Sequence, residues 1–221
     1  MLYFVSTPIG NLQDISKRMA DLLASCDYIL AEDTRNTKKL LNFLKLNKKL
    51  VSFHEHSSKE RIDEVIFDLK GDRDICYVSD AGTPNLSDPG GKLSEAALSE
   101  GIKVCPIPGP SALTALISVA PFSCSQFVFM GFFPKKKGRE TMVENIKKIE
   151  NPVFFFESCH RIKKTLCFLS ERLPAHNILI GRELTKKFEQ INYLPLSGQS
   201  ITKNLVEKGE FVFALVKQAK V

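Results

Sequence analysis

The sequence predicts an α/β protein built from two α/β domains, residues 1–120 with a parallel sheet and residues 121–221 with a mixed sheet. Two observations predict it. In the first half, short apolar runs alternate with amphipathic helical stretches, and repeated strand–helix units imply a parallel sheet with helices on both faces. Near Ala120-Pro121-Phe122-Ser123 the alternation gives way to aromatic strands and charged segments, which places a boundary there. A chain of 221 residues suffices for one large domain or two of roughly 100 residues each.

Residues 2–6 read as the first strand, with Thr7-Pro8-Ile9-Gly10-Asn11 as its exit loop. Ser16 is placed to cap a helix ending near residue 25, whose inner face is Met19, Leu22, Leu23 and Cys26. Residues 28–31 form a second buried strand. Thr34 is the expected cap of the next helix, striped by Leu40, Leu41 and Leu44. Residues 50–53 form a third strand, and Ser57 or Ser58 precedes a helix carrying Ile62, Val65, Ile66 and Leu69. A fourth strand at 75–78 leads to a helix over 92–99. A fifth at 102–106 turns through Pro108-Gly109-Pro110-Ser111 into a helix over 112–119, with Pro110 where that helix begins. The second half is expected to hold strands at 127–132, 152–156, 177–181, 187–194 and 210–216, and helices over 140–149 and 162–171.

The stretch CYVSDAGTPNLSDPGG, residues 76–91, is the centre of the pattern. It passes from an apolar strand into a long loop of small and turn-forming residues with two Asp, three Gly and two Pro, then into a helix. Ligands of open α/β sheets sit at such carboxyl ends. Loops of this length in a compact domain are functional or disordered. Three more loops end predicted strands, at residues 7–11, 106–111 and 157–161; in a parallel sheet such ends face the same side, so the four loops are expected to line one cleft. Neither GxGxxG after the first strand nor GxxxxGK[ST] occurs, which excludes the standard dinucleotide and nucleoside-triphosphate sites.

Composition bounds the class. Hydrophobic residues make up 43% and charged ones 25%, ordinary for a soluble globular protein, and the net charge of +6 leans mildly towards polyanionic partners. No apolar run approaches the roughly 18 residues that span a bilayer. The N-terminus lacks the basic region and cleavage site of a signal peptide. The six cysteines form no CxxC pair, so free thiols in a reducing cytoplasm are expected rather than zinc or disulfides.

Charged groups gather at the strand ends. Glu32-Asp33-Thr34-Arg35 follows the second strand; a helix start with acidic first-turn residues is the plainer alternative for Asp33. His54 and His56 flank Glu55, but no further His or Cys joins them to make a metal site. Glu157, His160 and Arg161 follow a buried strand, where a structural ion pair is the plainer alternative. Lys135, Lys136, Lys137 and Arg139, beside Phe129, Phe132 and Phe133, form a basic segment of a kind that engages single-stranded RNA or simply faces solvent.

Seven motifs in order, STPIGNLQDIS, AEDTRNTKKLL, VSDAGTPNLSDPG, PIPGPSA, GFFPKKKGR, FFESCHR and RELTKKFE, span residues 6–189. On these the chain resembles the tetrapyrrole methylase superfamily, and within it the ribosomal RNA small subunit methyltransferase I family. The resemblance implies a class III methyltransferase fold of two α/β domains with S-adenosylmethionine in the cleft between them. It also implies a cytoplasmic homodimer that methylates a cytidine 2′-oxygen in the decoding centre of 16S rRNA on the small subunit, without a metal. It assigns the methyl donor to Pro8, Asp80, Ala81, Gly82, Thr83, Pro84, Ser111, Ala112 and Glu157. Glu32, Arg35, His54 and Arg161, all at strand ends, are the expected surroundings of the acceptor, and the basic segment is the expected RNA contact. The match weakens over residues 191–208, and few residues follow Val216 where longer members carry a helical tail. Two rivals remain at this level: a methyltransferase for a small molecule such as a tetrapyrrole precursor, and a non-catalytic RNA-binding assembly factor. The basic segment and the ESCHR and RELTK motifs speak against the first, and methyl transfer itself would separate the second.

Overall fold

A computed structural model describes residues 1–197 and 205–218. The chain divides into two compact units, Met1–Ser111 and Ala112–Val221. The weakly matching segment 191–208 lies partly outside the described residues.

The first unit holds strands β1 (Leu2–Val5), β2 (Tyr28–Ala31), β3 (Leu50–Ser52), β4 (Ile75–Val78) and β5 (Val104–Ile107). All pair in parallel, in the order β3-β2-β4-β1-β5. Their helices are α1 (Lys17–Ser25), α2 (Thr34–Phe43), α3 (Lys59–Lys70) and α4 (Gly91–Ser99). Strands buried on both faces need apolar residues at successive positions, and β2 and β4 supply them. Leu30 and Tyr77 pack with Val65, Leu69, Leu93 and Ala97 of α3 and α4. Ile29, Cys76 and Val78 pack on the other face with Met19, Leu23, Leu40 and Leu41 of α1 and α2. The chain therefore leaves β1 and β2 towards one face and β4 towards the other. The resulting divergence at the carboxyl ends is a topological switch point, where open α/β sheets form crevices.

Local capping explains the helix starts. Ser16 Oγ accepts a hydrogen bond from the Met19 N–H at 3.1 Å, as expected. The α2 cap is Asp33, not Thr34: Asp33 is extended and its carboxylate accepts from the Arg35 N–H at 2.8 Å, while Thr34 is already helical. Ser58 caps α3, while Ser57 Oγ instead accepts from the His54 N–H at 2.9 Å.

The second unit holds α5 (Ala112–Ser118), β6 (Val128–Phe132), α6 (Arg139–Lys148), β7 (Val153–Ser158), α7 (Ile162–Arg172), β8 (His176–Arg182), β9 (Gln190–Pro195) and β10 (Glu210–Lys217). Its sheet is mixed, in the order β6-β7-β10-β8-β9, with β6 and β7 parallel and the other pairs antiparallel. Phe155, Phe213, Ile180 and Val153 point to α6 and α7 and form one core with Val143, Ile146, Leu166 and Leu169. β9 begins at Gln190 rather than 187, because residues 186–189 turn first, with the Glu189 N–H donating to Lys186 O at 3.1 Å.

The division at Ser111/Ala112 falls before α5, whereas composition suggested residue 120. α5 packs on its own unit: a Cβ added to Gly181 of β8 would lie 2.9 Å from Leu116 Cδ1 and 3.0 Å from Leu184 Cδ2. Pro110 also lies outside α5, which begins only at Ala112. Replacing Gly181 by Val should therefore cost the second unit about 1–3 kcal/mol by overpacking. Urea unfolding checks this, and an unchanged midpoint would show that Leu116 and Leu184 yield freely.

Candidate functional site

The loop after β4 is tied to three neighbouring strand ends. Thr7 and Gly82 form an antiparallel bridge, with Thr7 N–H donating to Gly82 O at 2.9 Å and Gly82 N–H to Thr7 O at 3.0 Å. Gly82 has φ +79°, and a Cβ there would stand 3.2 Å from Ile9 Cγ2. The Ser6 hydroxyl donates to Thr83 Oγ1 at 3.2 Å, and Thr83 Oγ1 donates to Pro110 O at 3.2 Å, which brings in the exit of β5. On the other side, Asp80 N–H donates to Glu32 Oε2 at 3.3 Å, and Asp33 N–H donates to Asp80 Oδ1 at 3.1 Å. The structure thus brings together Asp80, Gly82, Thr83 and Glu32 from the sequence-derived set.

Acids dominate this edge, and their neighbours set their protonation. Burial raises the Glu32 carboxyl above the ordinary range, and the charges of Asp80, Asp33 and Glu55 push the same way against the Asp80 amide. Arg35 grips Asp33 through Nε at 3.0 and 3.1 Å and Nη2 at 2.6 Å, and holds its carboxyl at about 2. The Arg35 guanidinium is otherwise exposed.

The second half of the same loop builds a wall. Tyr77 Oη donates to Pro89 O at 2.8 Å. Gly90, at φ +139°, lies on two rings: a Cβ there would sit 2.8 Å from Phe4 and 3.0 Å from Tyr77. Tyr77 meets both Phe4 and Phe53 edge-on, at 5.2 and 5.7 Å between centroids. Beside this wall a cavity of about 190 Å³ is lined by His54, Glu55, Asn85, Asp88 and Lys92, with Phe53 behind. Burial pushes the Asp88 carboxyl up to about 6, helped by the charges of Glu32 and Asp80. Of these residues only His54 had been singled out by sequence reasoning for the site. SDPGG belongs to the loop that the sequence marks as central, but its pattern names no individual side chain, and its paired glycines signal close backbone approach.

In the second unit, the Glu157 carboxylate is fully engaged. It pairs with the Arg161 guanidinium, accepts from Thr165 Oγ1 at 2.7 Å, and accepts from the Ser158 N–H at 2.8 Å. Arg161 also donates to Phe133 O at 3.0 Å. The plainer alternative of a structural ion pair therefore describes their geometry. The basic segment splits. Lys135, Lys136 and Lys137 are exposed, but Arg139 packs over the Phe168 ring at 4.0 Å, and Arg172 over the same ring at 3.8 Å. Phe133 is core and Phe132 is half exposed. Phe168 and Arg172 stand four residues apart on α7, a helical contact spacing that could have signalled the pair.

Among the described residues, no group of three or more His, Cys, Asp or Glu side chains is arranged to hold a metal ion. Among them, too, no helix is long and apolar enough to cross a membrane.

A family model for Tetrapyrrole (Corrin/Porphyrin) Methylases matches residues 1–197. Among solved structures, a diphthine synthase superposes with a TM-score of 0.76 at 12% identity, over 97% of this chain and 89% of that one. A uroporphyrin-III C-methyl transferase from Thermus thermophilus, complexed with S-adenyl homocysteine, superposes with a TM-score of 0.66 at 14% identity, over 96% of each. At such identities the likeness is one of fold. Fold and family model together define a methyltransferase of the tetrapyrrole methylase family. Sequence relatives are more specific. "Ribosomal RNA small subunit methyltransferase I" of Thermotoga maritima is 44% identical over 189 residues, 86% of this chain and 85% of the relative. The protein of the same name from Leptospira biflexa is 39% identical over 223 residues, 100% of this chain and 92% of the relative. The chain belongs to the ribosomal RNA small subunit methyltransferase I family.

Two predictions follow from burial. Arg161→Ala strands the buried Glu157 carboxylate and should cost about 3–5 kcal/mol in urea unfolding; a loss below about 1 kcal/mol would show that water or another cation replaces the guanidinium. Asp88 is raised to about 6 in the folded chain, against about 4 unfolded. Its protonated form therefore favours folding, an effect present below about pH 4 and lost as pH rises through about 6. The unfolding midpoint of the parent chain, taken relative to Asp88→Asn, should fall across that window; a flat difference would mean the carboxylate is already well solvated.

Proposed function

We propose that the protein transfers a methyl group from S-adenosylmethionine to the 2′-oxygen of a cytidine ribose in the decoding centre of 16S rRNA on the small ribosomal subunit. The observation that carries this reading is the joined set of strand-end loops at the switch point, in a chain 39–44% identical to proteins named for small-subunit rRNA methylation. The small-molecule alternative rests on the superfamily-wide family model and on fold likeness at 14–16% identity, neither of which singles out a substrate as the 39–44% identical relatives do.

The first unit suits the methyl donor. Thr7 Oγ1 is buried without a hydrogen-bond partner among the described residues, beside the Thr7–Gly82 bridge, and Gly82 lets backbone rather than side chain face a ligand. The exposed Asp80 carboxylate, with Glu32 behind it, favours a cationic ligand. S-Adenosylmethionine supplies a methyl group already activated on positive sulfur. Pro8 and residues Asp80, Ala81, Gly82, Thr83 and Pro84 would hold it, and Ser111, Ala112 and Glu157 are further contacts in this reading. The Glu157 side chain would act by ordering its own strand end through Arg161 and Thr165. Holding the acceptor oxygen in line is the main task of the protein. Glu32 is our choice for the proton acceptor, since a raised carboxyl pKa brings a base nearer the working pH. Arg35 and His54 would flank the acceptor, with Lys135, Lys136 and Lys137 binding phosphates. No metal is invoked. A cytoplasmic homodimer is part of the same reading, and sedimentation tests the dimer.

The direct test incubates the protein with methyl-labelled S-adenosylmethionine and small subunits from cells lacking it. Label on one cytidine ribose is expected. No label on subunits or free 16S RNA, despite cofactor binding, would overturn the reading. Within the reading, kcat/KM should fall as pH drops through the raised Glu32 pKa, because the base works ionised. Glu32→Gln should lower kcat roughly 10²- to 10⁴-fold and remove that pH limb. An intact limb in the variant would assign the base elsewhere.

A further inference from the structure

The cavity beside Asp88 is too small for a whole methyl donor. Its 190 Å³ lies below the roughly 300–1,000 Å³ of pockets that enclose a drug-sized ligand. It holds about six waters' worth of volume, the scale of one planar heterocycle. Its position is nevertheless central, since residues 85–92 continue the loop that holds Asp80 to Thr83. Its wall is rigid: Gly90 rests on the rings of Phe4 and Tyr77, and Tyr77 Oη fixes the Pro89 carbonyl. Enzymes that do chemistry on a base turn it out of the stack into such a pocket and read its hydrogen-bonding edge, and the same grip on a base would hold its ribose in register for transfer to the 2′-oxygen.

The lining chemistry selects among bases. Asp88 is half buried and forms no ion pair among the described residues; the Ser79 hydroxyl beside it works against the effect of burial, and the carboxylate keeps further accepting capacity. Glu32 and Asp80 add negative charge nearby, so a phosphate is disfavoured while a neutral N–H donor is welcome. A carboxylate accepts from the exocyclic amino group of cytosine, whereas uracil presents a carbonyl there. Asn85 is held left-handed at φ 69° on the same rim and offers both a donor and an acceptor. His54 and Phe53 supply ring surface.

We infer that this cavity is the base pocket of the acceptor nucleotide, with the Asp88 carboxylate accepting from the amino group of a flipped-out cytosine and Asn85 reading its remaining edge. The inference rests on the rRNA methyltransferase reading for the identity of the acceptor. Asp88 is here a specificity determinant, which touches the base and not the methyl group. Lys92, in the first turn of α4, is placed to meet a phosphate or ribose at the mouth.

The test uses two readouts. In the first, cytidine and uridine are titrated separately into the full-length ¹⁵N-labelled protein. Cytidine should shift the amides of residues 85–92, with affinity roughly 10- to 100-fold above uridine. Asp88→Asn, nearly isosteric, should abolish the preference, and Asn85→Ala should weaken both ligands. Unmoved amides, or an Asp88→Asn protein that still prefers cytidine, would overturn the inference. In the second, methyl transfer to small subunits is compared for parent and variants. A roughly 10- to 100-fold loss of kcat/KM in Asp88→Asn, with unchanged S-adenosylmethionine affinity, supports the pocket. Equal rates with the parent active would sink the pocket and leave the function standing. Cytidine-specific shifts with an inactive parent would support the pocket and sink the methylation reading.

Discussion

The backbone bridge between Thr7 and Gly82 is the constraint on which the rest of the first unit depends. Parallel strands β1 and β4 lie side by side, yet their chains leave for opposite faces of the sheet. Left alone, the two exits would splay and expose unpaired amides. Two hydrogen bonds close them, and the turn that permits this requires a residue at φ +79°, which glycine adopts without strain. Side chains then extend the junction to β5 through Ser6 and Thr83, and to β2 through Glu32, Asp80 and Asp33. One long loop is thereby shaped along its length, tied by its first half and packed on aromatic rings by its second.

The two units treat charge differently. In the first, carboxylates gather at the strand ends and are held mainly by backbone amides, so their charges remain partly uncompensated. Burial raises Glu32 and Asp88, and the neighbouring carboxylates push the same way; under the proposed function such a rim would suit a cationic donor and a base edge. In the second, charge is neutralised internally. Glu157 is matched by Arg161, and two guanidiniums stack on Phe168 while Arg172 also takes Glu140 at 2.9 Å. At 3.8 and 4.0 Å from one ring centroid, those guanidiniums must occupy opposite faces, an arrangement that ties α6 to α7.

Much of this architecture was legible in the sequence, because burial on both faces leaves a plain record. Uninterrupted apolar runs such as Tyr28–Ala31 and Ile75–Val78 marked the parallel strands, and the small-residue run marked the long loop that the Thr7–Gly82 bridge ties down. What stayed hidden were choices made by partners distant in sequence. Asp33 caps α2 in place of Thr34 while Asp80 binds its amide from β4. α5 joins the second unit because Gly181, some 60 residues on, leaves room for Leu116. Arg139 looked like a member of a solvated basic run, yet Phe168 draws it inward. The cavity at Asp88 was hidden for the same reason: Phe53 and Gly90, far apart in sequence, both line it, and both meet Tyr77.

The most direct measurement is S-adenosylmethionine binding by calorimetry to Gly82→Ala, read beside its unfolding midpoint. If the bridge shapes the methyl-donor site, a side chain at φ +79° and 3.2 Å from Ile9 should weaken binding at least roughly tenfold at a strain cost of about 1–2 kcal/mol. Parent-like affinity in a variant that shows the strain would contradict the central role given to the Thr7–Gly82 junction.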